Sequence, residues 1–280
     1  MTTFLSAIER QSLVGAVEKS DINIAKGLLE KRINPDGLII GGAGDSLLHM
    51  AIKKKDEAMT RLLLTYMQNP NVLNNQGFAA LHLAVGKQTT NIVELLLSNS
   101  RVNPNQKTTI EQATPLHWAA FFVNIELIQL LLPHTDQPGE PEYRGNTLLH
   151  LAALEQSSAG DQVEKEKIKV LITIIELLKN PAINPEKTNK NDETFLDILM
   201  DSNKYDEETQ KYFKKLFDES VQQNPIPPVV NHHGGSYKKA VTIGIILIGL
   251  IGIATLFILL GEYTKGEIVK KDAQELSNLQ

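Results

Sequence analysis

Thr114-Pro115-Leu116-His117-Trp118-Ala119-Ala120 is one of four versions of the same short pattern. The others are Ser46-Leu47-Leu48-His49-Met50-Ala51, Ala80-Leu81-His82-Leu83-Ala84 and Thr147-Leu148-Leu149-His150-Leu151-Ala152-Ala153. Their histidines lie 33, 35 and 33 residues apart, so the chain repeats a whole structural unit. Thr114, placed before an apolar segment, can accept a hydrogen bond from the first free amides of a helix, and Pro115 is tolerated in a first turn that needs no intrahelical donor. The pattern therefore predicts a helix start. The small Ala119-Ala120 pair lets a second helix approach closely, and that helix shows its apolar stripe in Leu127, Ile128, Leu130, Leu131 and Leu132. One such pair cannot bury its apolar face alone, so neighbours must stack.

A period of about 33 with T-P-L-H-x-A at its start, followed by an Ile/Val-x-Leu-Leu-Leu run, resembles the ankyrin-repeat family, whose unit is a turn and two antiparallel helices. The resemblance implies an all-α solenoid of about five to six repeats over residues 1–223. It also implies that His49, His82, His117 and His150 link neighbouring units by hydrogen bonds. On that reading they are structural residues and not catalytic ones.

Taken in chain order, the first unit is degenerate: aligning Ile24 to Leu29 with the later Leu-rich helices puts Val14 where the others have histidine. A terminal repeat is expected to be atypical, because its outer face meets water. Gly41-Gly42-Ala43-Gly44 lacks the Gly-Lys-Ser/Thr ending of a phosphate loop and reads as a turn. Second helices are expected over Met59–Met67, Ile92–Ser98 and Leu127–Leu132, each closed by a nearby proline. The fifth unit is longer. From His150 to the equivalent Asp197 the step is 47 residues, with the excess placed in Glu155 to Lys167, a loop at Ser157 to Gly160 and a long helix over Glu164 to Lys179. A sixth unit ends in an amphipathic helix near Glu207 to Gln222, with Tyr212, Phe213, Leu216 and Phe217 inward, read as the C-terminal cap.

Beyond the array the character changes. Residues 224–239 carry Pro225, Pro227, Pro228 and Gly234-Gly235 and read as a linker. Ala240 to Leu260 has no charged residue, and 21 residues of helix reach roughly 31 Å, enough to cross a hydrocarbon core of about 30 Å. Tyr237 and Tyr263 bracket it at interface depth, with Lys238, Lys239 and Lys265 as anchors. The expectation is a single transmembrane helix and a short polar tail over 261–280. A large domain ahead of the only span, with no secretory signal at Met1 to Val14, points to a tail-anchored protein whose repeats face the cytosol.

Composition excludes several classes. A net charge of −5 lacks the basic footprint of nucleic-acid binding. With no cysteine there are neither disulfides nor thiolate metal sites. The pair His232-His233 has no third ligand at metal spacing, and no nucleophile elbow or metal-binding helix motif is present. The chain is therefore expected to be a non-enzyme without cofactor or metal.

Binding remains. The family resemblance places partners on the concave face made by the first helices and the preceding loop tips. Lys53-Lys54, Gly86-Lys87, Phe121-Phe122 and Leu154-Glu155 are the positions that point there. Phe121 and Phe122 matter most, because exposed aromatics act as interface anchors, while Lys53, Lys54 and Lys87 would steer. If the irregular Val123-Asn124 turn instead draws a ring into the core, the loop tips at Asn105 to Gln112 and Glu140 to Arg144 are the next candidates. Two other readings stand beside that of a scaffold holding a protein partner at a membrane. One is an oligomeric membrane or pore component, joined through the small residues Ala240, Gly244, Gly249 and Gly252 of the span. The other is a host-directed effector, on a loose similarity to ankyrin proteins of intracellular bacteria.

Overall fold

The computed structural model describes residues 7–31, 34–154 and 163–200, with backbone alone at 7, 163–168 and 171, and the isolated helical positions 207, 210, 211, 214, 215 and 218. Within these the helices come in pairs. Unit one is α1 (Ala7–Glu18) and α2 (Ile22–Glu30), unit two α3 (Leu47–Lys53) and α4 (Glu57–Tyr66), and unit three α5 (Ala80–Gly86) and α6 (Thr90–Leu97). Unit four is α7 (Pro115–Phe121) and α8 (Ile125–Leu131), unit five α9 (Leu148–Leu154) and α10 (Val163–Leu178), and α11 (Phe195–Leu199) opens unit six. First helices pack in sequence as α1, α3, α5, α7, α9 and α11, and second helices as α2, α4, α6, α8 and α10. The outcome is two helix layers with the core between them.

A seven-residue helix is far below the length that holds itself together in water, so packing must keep the first helices folded. Leu48, Leu81, Leu116 and Leu149, each one residue before a motif histidine, are fully buried. Leu63, Leu96, Leu131 and Leu177 of the second layer belong to the same buried core. Each such side chain contributes roughly 1.5–3 kcal/mol by leaving water. Ala119 and Ala120 are also solvent-free, which leaves room for α8 beside α7.

The second helices start two residues before the expected positions: at Glu57, Thr90 and Ile125 and not at Met59, Ile92 and Leu127. Their first two residues, Glu57-Ala58, Thr90-Asn91 and Ile125-Glu126, are half-buried or exposed, so the buried apolar stripe begins only after them. Asp56 and Asn124 fix two of the starts by accepting from Met59 N at 2.9 Å and Leu127 N at 3.1 Å. At the far end of α8, Leu132–His134 forms a 3-10 turn that takes in Pro133, where a stop was expected. Leu130 and Leu132 of the expected stripe are only half-buried, while Leu127, Ile128 and Leu131 carry the packing.

The all-α solenoid carries one short hairpin between units one and two. Ile39–Ile40 (β1) and Asp45–Ser46 (β2) pair antiparallel across Gly41 to Gly44. Gly41 and Gly44 both have positive φ, the conformation that glycine adopts without steric cost. Just after α1, α3, α5 and α7, Ser20, Lys55, Gln88 and Val123 adopt φ of 50–57° although none is glycine. Val123 is β-branched and pays a left-handed cost of about 1–2 kcal/mol. Its burial at 5% exposure offsets that cost.

Several expectations fall outside the described residues: the loop at Ser157 to Gly160, the inward residues Tyr212, Phe213, Leu216 and Phe217, the linker 224–239, the span Ala240 to Leu260 and the tail 261–280. Among the described residues no helix is long and apolar enough to cross a membrane.

Candidate functional site

The four motif histidines form one row along the first-helix layer. Each Nδ1 accepts from the backbone N–H three residues earlier: Ser46, Ala79, Thr114 and Thr147, all at 3.2 Å. That fixes the proton on Nε2, which then donates to a carbonyl of the next unit. The acceptors are Phe78 O at 2.8 Å, Ala113 O at 3.1 Å, Glu140 O at 3.0 Å and Glu193 O at 2.8 Å. Burial pushes His82 and His117 down to about 4, against the opposing effect of these carbonyl bonds, and lowers His49 and His150 as well. At neutral pH the rings are uncharged. Both nitrogens of each ring are engaged, so none is available to bind a metal or accept a substrate proton. Among the described residues no group of three or more His, Asp or Glu side chains is placed to hold a metal ion.

The loop tips form a second row that the motif did not reveal. Backbone bonds cross from tip to tip: Asn75 N to Ala43 O, Thr109 N to Gly77 O, Tyr143 N to Glu111 O and Lys190 N to Arg144 O, at 2.7–3.3 Å. Asn74 and Asn189 shape their own tips by accepting backbone N–H groups and reach back to Asp45 and Asn146. Buried Asn74 and Asn189 are separated by irregular loop lengths, which hid them in the sequence. Asp45 also receives Lys53. Burial opposes its ionisation, but the Lys53 and Asn74 bonds and the lysine charge outweigh that and hold the carboxyl below its ordinary range.

The third row is the expected partner face. Phe121 is 43% exposed at the end of α7, and Phe122, its C-cap, is half-buried. The two rings meet edge to face at 5.4 Å, Phe122 meets Trp118 at 6.0 Å, and Trp118 meets Phe78 at 4.9 Å. These distances are those of favourable tilted aromatic pairs. A four-ring ridge thus crosses from unit three to unit four, with Phe121 as its open end. Trp118 and Phe78 went unread in the sequence. The i,i+4 spacing of Trp118 and Phe122 was the available signal. Gly86 lies against the same ring: a Cβ there would be 3.3 Å from Trp118, a tight contact that the indole would have to ease.

The lysines of the row differ from one another. Lys53 is tied to Asp45, Lys54 donates to the Glu18 main-chain carbonyl, and Lys87 is exposed beside Gly86. Leu154 is half-buried, and Glu155 lies outside the described residues. At the alternative site, Ile110 and Tyr143 are 70% and 62% exposed on adjacent tips, and Lys190 Nζ lies 4.2 Å from the Tyr143 ring centre.

A family model described as ankyrin repeats (3 copies) matches residues 13–108 and 91–174. An ankyrin repeat protein of Acanthamoeba polyphaga mimivirus is 33% identical over 107 residues, covering 38% of this chain and 14% of the viral protein. The match therefore spans a small part of that relative's length, and it lends no support to a likeness with proteins of intracellular bacteria. The crystal structure of EF0377, an ankyrin repeat protein, superposes with a TM-score of 0.61 at 17% identity over 73% of this chain and 96% of that one. The ankyrin repeat domain of Bcl-3 gives 0.57 at 19% identity over 72% and 81%.

Proposed function

Because the chain belongs to the ankyrin-repeat family, we propose that it is a membrane-anchored, non-enzymatic scaffold that holds a protein partner on the first-helix face of units two to four. The observation that carries this reading is the aromatic ridge. Phe121 exposes a large ring in a row whose equivalents are Lys53 and Gly86, and the rings behind it hold it in place. A preorganised aromatic is the kind of side chain that anchors an interface. The engaged histidine row supports a structural role for the motif and leaves the face beside it as the variable surface.

Membrane attachment rests on the uncharged run Ala240 to Leu260, with the repeats on the cytosolic side. A second reading, in which the protein acts as an oligomeric membrane or pore component, draws on Ala240, Gly244, Gly249 and Gly252 within that run.

Two measurements test the proposal. The full chain should stay in the membrane pellet after alkaline extraction, and deletion of 240–280 should release it; a deletion product retained in the pellet would sink the anchor. Partner recovered on the full chain should fall by about 30-fold in a Phe121→Ala/Phe122→Ala variant, the effect of losing about 2 kcal/mol at an interface centre. Phe122 also supports Trp118, so Phe121→Ala alone separates binding from folding. An unchanged recovery with that single variant would move the site to the tips at Ile110 and Tyr143.

A further inference from the structure

We infer that the segment bound on this face is an acidic peptide stretch carrying one large apolar side chain, the apolar group resting on Phe121 and the acids meeting Lys87 and Lys54. The inference rests on the partner-binding reading above and adds the chemistry of the partner.

The ends of α3, α5 and α7 lie side by side, because these helices pack in that order. They present Lys53-Lys54, Gly86-Lys87 and Phe121-Phe122. Lys53 already has its counter-ion in Asp45. Lys54 donates to a main-chain carbonyl, which carries no net charge. Among the described residues no carboxylate lies within ion-pair distance of Lys54 or Lys87. Lys87 follows Gly86, which lies against the Trp118 ring, so a cation without a counter-ion is the next residue along from the aromatic ridge. Lys55 adds no net sign, because it shares its hollow with Glu57 and Glu126, so the selection falls to Lys54 and Lys87. Two cations without counter-ions beside apolar rings select a partner of opposite charge with an apolar group to cover the rings. Exposed ion pairs add little affinity singly, so the rings hold the partner and the lysines choose it and speed its approach.

The test is selection of a displayed random dodecapeptide library on the full chain, followed by fluorescence anisotropy with the recovered peptides. Acidic peptides with one aromatic or Leu-like residue should be enriched. Their affinity should fall at least 30-fold on Phe121→Ala and about 10-fold on Lys54→Glu/Lys87→Glu. The charge-reversed protein should itself select basic peptides. Lys87→Glu alone, which leaves the Lys54 contact with Glu18 in place, should lose several-fold and guards against misfolding of the double variant. Peptides that need Phe121 but show no acidic bias would overturn this inference and leave the site standing. Peptides indifferent to Phe121→Ala would overturn both. Binding of phosphatidylserine vesicles through Lys54 and Lys87, in competition with the peptides, would likewise overturn it in favour of a lipid surface.

Discussion

The histidine row and the row four to five residues after it run along the same helices under different constraints. His49, His82, His117 and His150 are one residue type, buried, with the same two bonds in each unit. Lys53-Lys54, Gly86-Lys87 and Phe121-Phe122 change from unit to unit and mostly face water. A repeat protein supplies its own internal control. Where the units agree, the position serves stacking, which every unit must achieve; where they differ, it is free to serve a partner. Asp197 shows the limit of the first rule. It takes the histidine's place in unit six and closes the same cap, accepting from Thr194 N at 2.7 Å and Thr194 Oγ1 at 2.6 Å. An ionised carboxylate has no donor to pass to a following unit, so the bridge is not continued from this position.

The sharpest separation of the rows is by pH. Unfolding returns His82 and His117 to their ordinary value of 6.5, whereas in the fold burial holds them at about 4. Below 6.5 the unfolded chain therefore binds more protons, and stability falls as the pH drops toward 4. Each ring should cost about 2 kcal/mol by pH 5, together about 4 kcal/mol, before the same-sign contributions of His49 and His150. Thermal melts from pH 7.5 to 5 should show this loss, and His82→Gln should remove part of the slope. A flat profile over that range would mean that the rings are not held neutral by burial. Substitution of Lys54 or Lys87 in the neighbouring row should leave the slope unchanged.

At neutral pH the contrast is smaller. His117→Ala leaves the Glu140 carbonyl and the Thr114 amide without their partner and should cost roughly 1–3 kcal/mol. Lys87→Ala, on an exposed position, should stay within about 0.5 kcal/mol. Equal losses in urea titrations would erase the distinction between the rows.

Much of the stack was legible because it repeats. The period gave the units, Thr114 and Thr194 close the boxes that their motifs announce, and Leu48, Leu81, Leu116 and Leu149 are buried as the pattern requires. Features without a regular period were not legible. The tip ladder depends on Asn74 and Asn189, in loops of different length. The early helix starts depend on Asp56 and Asn124, in turns with no apolar pattern. At the candidate site, Phe121 and Phe122 could be named, but the ridge behind them depends on a contact between Phe78 and Trp118 that only stacking creates.

Unit three offers the smallest and most local test, because there the two halves of the cap come apart. In units two and four a hydroxyl accepts from the histidine N–H, Ser46 at 3.3 Å and Thr114 at 3.5 Å, and lies 2.7 Å from Nδ1. Unit three has Ala79 in that place, and its cap keeps only the bond from Ala79 N to His82 Nδ1. Ala79 is 3% exposed, within the range of Ser46 and Thr114, so the equivalent sites already hold a hydroxyl at this depth. Ala79→Ser should therefore restore an acceptor for the His82 N–H and stabilise by about 1 kcal/mol. In a domain of this size that raises Tm by about 2–4 °C. Ala79→Val adds bulk without an acceptor and should not stabilise. Should the two variants behave alike, the agreement of the units at this position reflects packing volume, and the cap hydrogen bond does not explain why Ser and Thr recur before the histidine.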